Sequence, residues 1–84
     1  MKMYYTYMLR CQDNSLYTGY TDNVEKRVAT HNEGKGAKYT RGRLPVVLVH
    51  SEEFSDKSSA IKREIEIKRL SKEKKEKLVN IKGD

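Results

Sequence analysis

Residues 16–31 constrain the fold of this chain more than any other stretch. A short β-prone segment with Gly19 inside it is followed within two residues by a helix-prone segment. Asp22 precedes that helix and Glu25 lies three residues later, which is the spacing of a capping box. Glycine inside a strand often marks a close backbone approach. The pattern predicts a strand that passes into a helix through a very short connection.

The predicted helix brings two polar side chains onto one face. Arg27 and His31 are four residues apart, so they lie one turn from each other. Tyr17, on the preceding strand, can converge on the same point. Because the arginine fork matches two oxygens of a phosphate, the stretch is compatible with an anion site. It is equally compatible with a surface arginine beside a core tyrosine.

Length and charge set the broad class of the protein. With 84 residues and no apolar run of about 18, we expect one domain over residues 1–84 that does not cross a membrane. Its one cysteine, Cys11, excludes an internal disulfide, and no signal-peptide pattern is present, so we expect a cytoplasmic protein. The net charge of +6 favours a nucleic-acid partner over a charge that serves only solubility.

Apolar periodicity predicts three strands and three helices. The strands are predicted at residues 4–11, 16–21 and 45–53. The helices are predicted at residues 23–32, 57–70 and 72–79. The pair Ser55-Asp56 is suited to cap the second helix, and Ser71 is suited to cap the third. The continuous apolar run at residues 46–49 suggests a third strand that is buried on both faces.

A basic segment, residues 34–43, separates the first helix from the third strand. It has three glycines and no acid, and the sequence predicts a loop. Its cations can follow a phosphate backbone and its tyrosine can stack on a base, although an ordinary solvated loop can have the same composition. The candidate nucleic-acid contacts are Lys35, Lys38, Tyr39, Arg41 and Arg43.

Glu64 is the most informative residue of the second half. It falls near the centre of the apolar arc of its helix, between Ala60 and Ile67. The other residues assigned to that arc are Ile61, Ile65 and Leu70. An unpaired carboxylate on that arc is costly to bury, so it needs a partner. Glu64 is therefore either part of a structural ion pair or a metal ligand.

Two further features of the second half have more than one interpretation. The lysines of the last helix (Lys74, Lys75 and Lys77) can touch phosphates or form a solvated face. His50 is more typical of a structural or surface histidine than of a ligand.

Five of these residues form a set that suits phosphodiester hydrolysis: Tyr7, Tyr17, Arg27, His31 and Glu64. The reaction needs an activated water, stabilisation of the charge on the phosphorane, and help for the leaving oxygen. One carboxylate with several waters is an ordinary way to hold a single Mg²⁺.

The sequence resembles the GIY-YIG nuclease family, and most closely its short stand-alone bacterial members. The two signature triplets are matched by Tyr-Thr-Tyr at residues 5–7 and Tyr-Thr-Gly at residues 17–19. Arg27 follows the second tyrosine at the family's spacing, His31 comes one turn later, and Glu64 lies where the family has its metal ligand. The resemblance extends over about residues 4–70.

The resemblance implies an α+β fold in which a small three-stranded antiparallel sheet is flanked by helices. It also implies a metal-dependent DNA endonuclease, acting in repair or recombination, with one Mg²⁺ or Mn²⁺ ion held by Glu64. Tyr17 would be the general base or part of its relay, and Tyr7 would orient the water or contact the scissile phosphate. Arg27 would stabilise the transition state, and His31 would bind phosphate or accept a proton.

The sequence departs from the family pattern in three places. Tyr5 replaces a glycine, Tyr20 stands where a cation is often found, and the polar residue that follows the glutamate has no clear counterpart. We also expect no second, target-selecting domain. Three options follow: weak cutting without sequence choice, recognition of a DNA structure, or action with a protein partner. The same departures fit a nucleic-acid-binding module that no longer cuts.

Overall fold

Residues 2–80, the part of the chain that the computed structural model describes, form a three-stranded antiparallel sheet and four helices. The elements in chain order are β1 (Tyr4–Arg10), β2 (Leu16–Thr21), α1 (Val24–Asn32), α2 (Lys38–Arg41), β3 (Val47–Phe54), α3 (Lys57–Lys68) and α4 (Lys72–Asn80). The strand order is β2-β1-β3, with β1 in the centre. This confirms the expected α+β fold. The two ends of the expected domain, residue 1 and residues 81–84, lie outside the described part.

One face of the sheet carries the main apolar cluster and supports α1. The register pairs Tyr7 with Gly19 and Leu9 with Tyr17, so these side chains share a face. Tyr7 and Leu9 pack with Cys11 and Val46, and Val28 of α1 packs against that cluster. Tyr7 and Leu9 are almost completely buried. The core therefore fixes how α1 lies over the sheet.

The other face of the sheet packs against α3. The Thr6 hydroxyl donates to the carbonyl of Ala60 at 2.7 Å, and Met8 and Ile67 are fully buried. A two-bond ion pair joins β1 to α4, since both terminal nitrogens of Arg10 contact the Glu76 carboxylate, at 2.6 and 2.7 Å. The hydrogen bond and the charge of Arg10 lower the pKa of Glu76 to about 2. The pair thus holds α4 against the sheet across the neutral pH range.

Two of the predicted helix caps are confirmed and one is displaced. The Asp56 side chain accepts the backbone N–H of Ser59 at 2.9 Å, and Ser71 accepts that of Lys74 at 3.2 Å. At the start of α1 the cap is Asn23, which accepts the N–H of Lys26 at 3.1 Å. Asp22 instead forms an ion pair with Lys2. The cap moves by one residue because both neighbours are good capping residues.

Two predictions about the middle of the chain are wrong. Residues 34–43 are not a continuous loop, since they contain α2, in which the Thr40 hydroxyl donates to the Ala37 carbonyl at 2.9 Å. The run at residues 46–49 is not buried on both faces, since Val47 is 59% exposed and Leu48 is 40% exposed. The physical reason is that β3 is an edge strand with a neighbour on one side only. Ile65, placed on the apolar arc of its helix, is also exposed.

No helix within residues 2–80 is both long enough and apolar enough to cross a membrane.

Candidate active site

Tyr7 occupies the centre of the candidate site because Gly19, opposite it on β2, has no side chain. A Cβ on Gly19 would lie 2.6 Å from the Tyr7 hydroxyl oxygen and 3.2 Å from Cε2 of Tyr17. The Tyr7 ring therefore lies directly over the glycine. This is the close backbone approach expected of a glycine inside a strand.

A buried chain of hydrogen bonds runs from Tyr7 through His31 to Thr40. The Tyr7 hydroxyl oxygen is 3.0 Å from Nε2 of His31, and Nδ1 of His31 is 2.9 Å from Oγ1 of Thr40. The three side chains are each no more than 1% exposed. A core strand and two helices thus supply one continuous path for a proton.

Thr40, the last residue in this series of hydrogen bonds, determines which nitrogen of His31 carries hydrogen. The Thr40 hydroxyl has one hydrogen, and the Ala37 carbonyl can only accept, so Thr40 donates to Ala37. Thr40 must then accept a hydrogen bond from Nδ1 of His31. Nε2 of His31 is left with a free lone pair, and the Tyr7 hydroxyl donates to it. The imidazole is therefore oriented to accept the tyrosine proton.

Burial favours the neutral form of both Tyr7 and His31, whereas the nearby charges act on the two groups in different directions. Burial lowers the pKa of His31, and the charge of Arg27 lowers it further. Burial raises the pKa of Tyr7, while Arg27 opposes that increase and the charges of Tyr17 and Glu64 add to it. Near neutral pH His31 is thus an unprotonated acceptor, and Arg27 is the group that favours a phenolate at Tyr7.

A glycine-containing loop closes over His31. A Cβ on Gly36 would overlap the imidazole ring, so a side chain at this position displaces either the loop or the histidine. Gly34, two residues earlier, has a φ of 79°, a backbone conformation that favours glycine. Sequence reasoning missed Gly36 and Thr40. The spacing of the glycines hinted at the first, whereas no signal in the sequence pointed to the second.

Tyr17 lies between three other side chains at the border of the site. Its ring centroid is 5.3 Å from that of His31 in an edge contact and 5.9 Å from that of Tyr39 in a stacked one. The ammonium of Lys68 lies 5.9 Å from the Tyr17 ring centroid. Tyr17 and Tyr7 are 6.4 Å apart between ring centroids. Tyr17 therefore contacts His31 through its ring, whereas Tyr7 binds it through its hydroxyl.

Arg27 and Glu64 reach the same cluster from helices on opposite faces of the sheet. Each lies close enough to Tyr7 for its charge to act on the phenol. The Glu64 side chain is 14% exposed, and its carboxylate is 3.3 Å from the ammonium of Lys68, one turn along α3. The ion pair that was expected for the Glu64 carboxylate is therefore formed with Lys68. The five residues proposed from the sequence as catalytic or metal-binding lie in one cluster.

The donor set suits a metal ion that keeps most of its water ligands. Among residues 2–80, no group of three or more His, Cys, Asp or Glu side chains is arranged to hold a metal. Mg²⁺ is usually bound through one or two carboxylates, with waters and substrate phosphates completing its shell. Glu64 fits that pattern because it supplies one carboxylate, and its partner Lys68 has a side chain that is 52% exposed to water.

The five candidate nucleic-acid contacts divide into two groups. Lys35, Lys38 and Arg41 are exposed to solvent. Arg43 is held instead, since its Nε donates to Asp13 at 2.9 Å and its guanidinium lies 4.0 Å from the centroid of the Tyr39 ring. Tyr39 also stacks on Tyr17 and is 40% exposed. It therefore joins the aromatic border of the site.

The second histidine, His50, lies on the opposite face of the sheet from His31. Its Nε2 is 2.7 Å from the Glu52 carboxylate, which also accepts from Nε of Arg63 at 2.8 Å. Burial alone would raise the pKa of Glu52, but Arg63 and His50 hold it below its usual value. Within the described residues, Nδ1 of His50 has no hydrogen-bond partner. This histidine belongs to a separate ion-pair network.

Comparison with known proteins gives consistent results. Residues 3–77 match the family described as the GIY-YIG catalytic domain. A UPF0213 protein of Staphylococcus haemolyticus is 61% identical over 79 residues, which cover 94% of this chain and 96% of the relative. A UPF0213 protein of Natronomonas pharaonis is 64% identical over 76 residues, which cover 90% of this chain and 89% of the relative.

Two solved structures are also similar. The solution NMR structure of a UPF0213 protein from Bacillus halodurans is 52% identical, with a TM-score of 0.63 over 96% of this chain and 86% of that one. The solution NMR structure of a protein from E. faecalis is 43% identical, with a TM-score of 0.64 over the same shares of the two chains.

Proposed function

Because this chain belongs to the GIY-YIG catalytic-domain family, a nuclease family, we propose that it is an endonuclease that hydrolyses phosphodiester bonds in DNA with the help of a divalent cation. The observation that carries the proposal is the buried Tyr7–His31–Thr40 chain of hydrogen bonds, whose phenol is close enough to Arg27 and to Glu64 for both charges to act on it. The basic charge of the chain supports a polyanionic substrate. Repair or recombination of DNA is the proposed setting.

In this proposal Tyr7, rather than Tyr17, is the general base. The Tyr7 oxygen takes a proton from the attacking water while its own proton passes to Nε2 of His31, 3.0 Å away. His31 becomes an imidazolium whose Nδ1–H remains hydrogen-bonded to Thr40. Tyr17 has a ring contact with His31 and its role is to position that ring.

The remaining residues handle charge on the phosphate. Arg27 is close enough to Tyr7 for its charge to act on the phenol, and in this proposal its fork binds two phosphate oxygens and stabilises the charge of the phosphorane. Glu64 is the residue proposed to hold Mg²⁺ or Mn²⁺. Such an ion would neutralise charge on the phosphate and assist departure of the leaving oxygen.

A cleavage assay tests this function. The pure protein is incubated with labelled single-stranded, duplex and branched DNA in Mg²⁺, Mn²⁺ or EDTA. The matched variants are Glu64→Gln and, on the exposed surface of α4, Glu73→Gln. We expect metal-dependent products from the wild type and from Glu73→Gln, and a loss of about 10²-fold or more in Glu64→Gln. Equal cleavage by the two variants would exclude Glu64 as the metal ligand.

The second candidate function is a nucleic-acid-binding module that does not cut. The observation in its favour is the Glu64–Lys68 ion pair, which satisfies the carboxylate without a metal. This alternative predicts binding that weakens with salt, no metal-dependent products, and the same affinity for DNA in Glu64→Gln as in the wild type.

A further inference from the structure

A cleft between β2 and α4 adjoins the candidate site. We propose that this β2–α4 cleft binds the nucleotide next to the scissile phosphate, a role that rests on the proposed endonuclease function. The cleft has a volume of about 350 Å³. Its lining residues are Leu16, Tyr17, Thr18, Tyr39, Lys68 and Lys75.

The charge of the cleft suits a phosphate group. Two lysines line it, from α3 and α4, and no acidic residue does. Lys72, one turn before Lys75, is paired with Glu76 at 3.4 Å, whereas within residues 2–80 the ammonium of Lys75 forms no ion pair. Lys75 is thus a cation that faces an open cleft with its charge available to a ligand.

The aromatic wall of the cleft suits a nucleobase. Tyr17 and Tyr39 stack on each other, with an angle of 24° between their ring planes. Tyr17 and the guanidinium of Arg43 already lie against the Tyr39 ring, so a nucleobase contacts the part of Tyr39 that remains exposed, 40% of its surface. Aromatic side chains bind unstacked bases of any sequence. Phosphate-binding lysines beside an aromatic surface are the combination that recognises a nucleotide within a strand.

The position of the cleft relates it to the cutting site. Tyr17 belongs to both, because it lines the cleft and contacts His31. Lys68 also belongs to both, because it lines the cleft and pairs with Glu64. A strand whose phosphate lies at Tyr7 and Arg27 therefore places a neighbouring nucleotide in the β2–α4 cleft.

The cleft is held in shape by contacts outside it. Glu76, the residue after Lys75, binds both terminal nitrogens of Arg10 on the central strand. Tyr39 is held by Arg43, whose Nη1 donates to the Tyr39 carbonyl at 2.6 Å and whose guanidinium lies 4.0 Å from the centroid of the Tyr39 ring. Both walls of the cleft are thus fixed before a ligand arrives, which reduces the ordering cost of binding.

Lys75→Gln and Lys77→Gln are a matched pair of variants that test the cleft. Each removes one positive charge from α4, but Lys77 is exposed and does not line the cleft. The measurement is the fluorescence anisotropy of a short labelled single-stranded DNA, titrated in EDTA at several salt concentrations. Without metal the readout is binding alone, with no contribution from cleavage.

We expect Lys75→Gln to bind about tenfold more weakly than the wild type, with a slope of log affinity against log salt that is shallower by about one. Lys77→Gln is expected to bind like the wild type within about twofold, because an exposed charge away from the ligand is screened. Lys75→Arg keeps the charge and is expected to restore the affinity. Equal melting temperatures of the variants exclude a folding defect.

The outcomes separate the cleft from the proposed function. If the wild type cuts DNA but Lys75→Gln binds as well as Lys77→Gln, the β2–α4 cleft is not a nucleotide site and the endonuclease proposal is unaffected. If binding depends on Lys75 but the wild type never cuts, the cleft is supported and the endonuclease proposal fails. A wild type that neither binds nor cuts DNA overturns both.

Discussion

The candidate site has a buried half, whose side chains are fixed by hydrogen bonds, and an open half, whose side chains are only partly fixed. In the buried half, every polar side-chain atom of Tyr7, His31 and Thr40 has a hydrogen-bond partner. In the open half, the one ion-pair partner of Glu64 among residues 2–80 is Lys68, whose side chain is 52% exposed. A proton path must have fixed geometry before substrate arrives, whereas groups that bind a metal and a phosphate must leave space for them. The difference indicates that substrate and metal complete the second half.

Gly36→Ala is the variant expected to disrupt the buried half most strongly. The added methyl group would overlap the imidazole of His31, which is fully buried and hydrogen-bonded through both ring nitrogens. We expect a loss of about 1–3 kcal/mol in the free energy of unfolding, and a fall of about 10²-fold in cleavage because the Tyr7–His31 bond is misaligned. Urea unfolding and single-turnover cleavage measure the two effects.

Gly42→Ala is the control for that substitution. Apart from its two chain neighbours, no heavy atom of residues 2–80 lies within 4 Å of a Cβ built on Gly42, so the same change in composition there is expected to leave both stability and rate unchanged. Wild-type cleavage by Gly36→Ala would show that the position of His31 does not matter for the reaction.

Thr40→Val tests the tautomer of His31 with a smaller effect. Valine keeps the shape of threonine but cannot accept the hydrogen of Nδ1, so the other tautomer, which places hydrogen on Nε2 facing Tyr7, is no longer disfavoured. We expect cleavage to fall by about tenfold, with Thr40→Ser close to the wild type. A serine variant as slow as the valine variant would point to packing of the methyl group instead.

The pH dependence of the cleavage rate and of the stability tests whether His31 is unprotonated in the folded protein. Because burial and Arg27 lower the pKa of His31, its acceptor form persists below the ordinary histidine pKa of about 6.5. We therefore expect the acid limb of the cleavage rate to lie below pH 6.5. The unfolded chain binds this proton more readily, so the free energy of unfolding should fall as pH drops below 6.5 and be unaffected above it. An acid limb above pH 6.5 would contradict an unprotonated, buried His31.

Lys68→Gln sharpens the description of the open half and has the smallest expected effect. Removing the ammonium that pairs with the Glu64 carboxylate should increase the affinity for Mn²⁺ by about threefold. Electron paramagnetic resonance measures this affinity. The same variant should bind DNA more weakly, because Lys68 also lines the β2–α4 cleft. Lys62→Gln, on the exposed surface of α3, is the control. Unchanged Mn²⁺ affinity in Lys68→Gln would show that the ion pair does not compete with metal.

Local patterns in the sequence were sufficient for the elements that depend on local physics. β1 and β2 follow from alternation and β-propensity, and β3 follows from its apolar run. The helix α3 follows from the Asp56 cap and its apolar spacing. The need of the Glu64 carboxylate for a partner follows from its position on the apolar arc of α3, and Lys68 lies one turn away. These features required no knowledge of which elements pack together.

The features that were not predicted depend on contacts between distant residues. Thr40 is significant only because His31, nine residues earlier, is brought against it. The exposure of Val47 depends on β3 lying at a sheet edge, which apolar runs do not reveal. The base role first given to Tyr17 moves to Tyr7 in our proposal because the strand register, undetermined from sequence, places Tyr7 over Gly19 and within reach of His31.

The most direct test of the buried proton path is single-turnover cleavage of labelled DNA in Mg²⁺ by Tyr7→Phe and by Tyr20→Phe, a β2 tyrosine on the other face of the sheet. We predict that Tyr7→Phe binds DNA normally but cuts about 10³-fold more slowly than the wild type, while Tyr20→Phe cuts at the wild-type rate. If Tyr7→Phe cuts as fast as the wild type, Tyr7 is not the general base and the hydrogen bond to His31 serves only the fold.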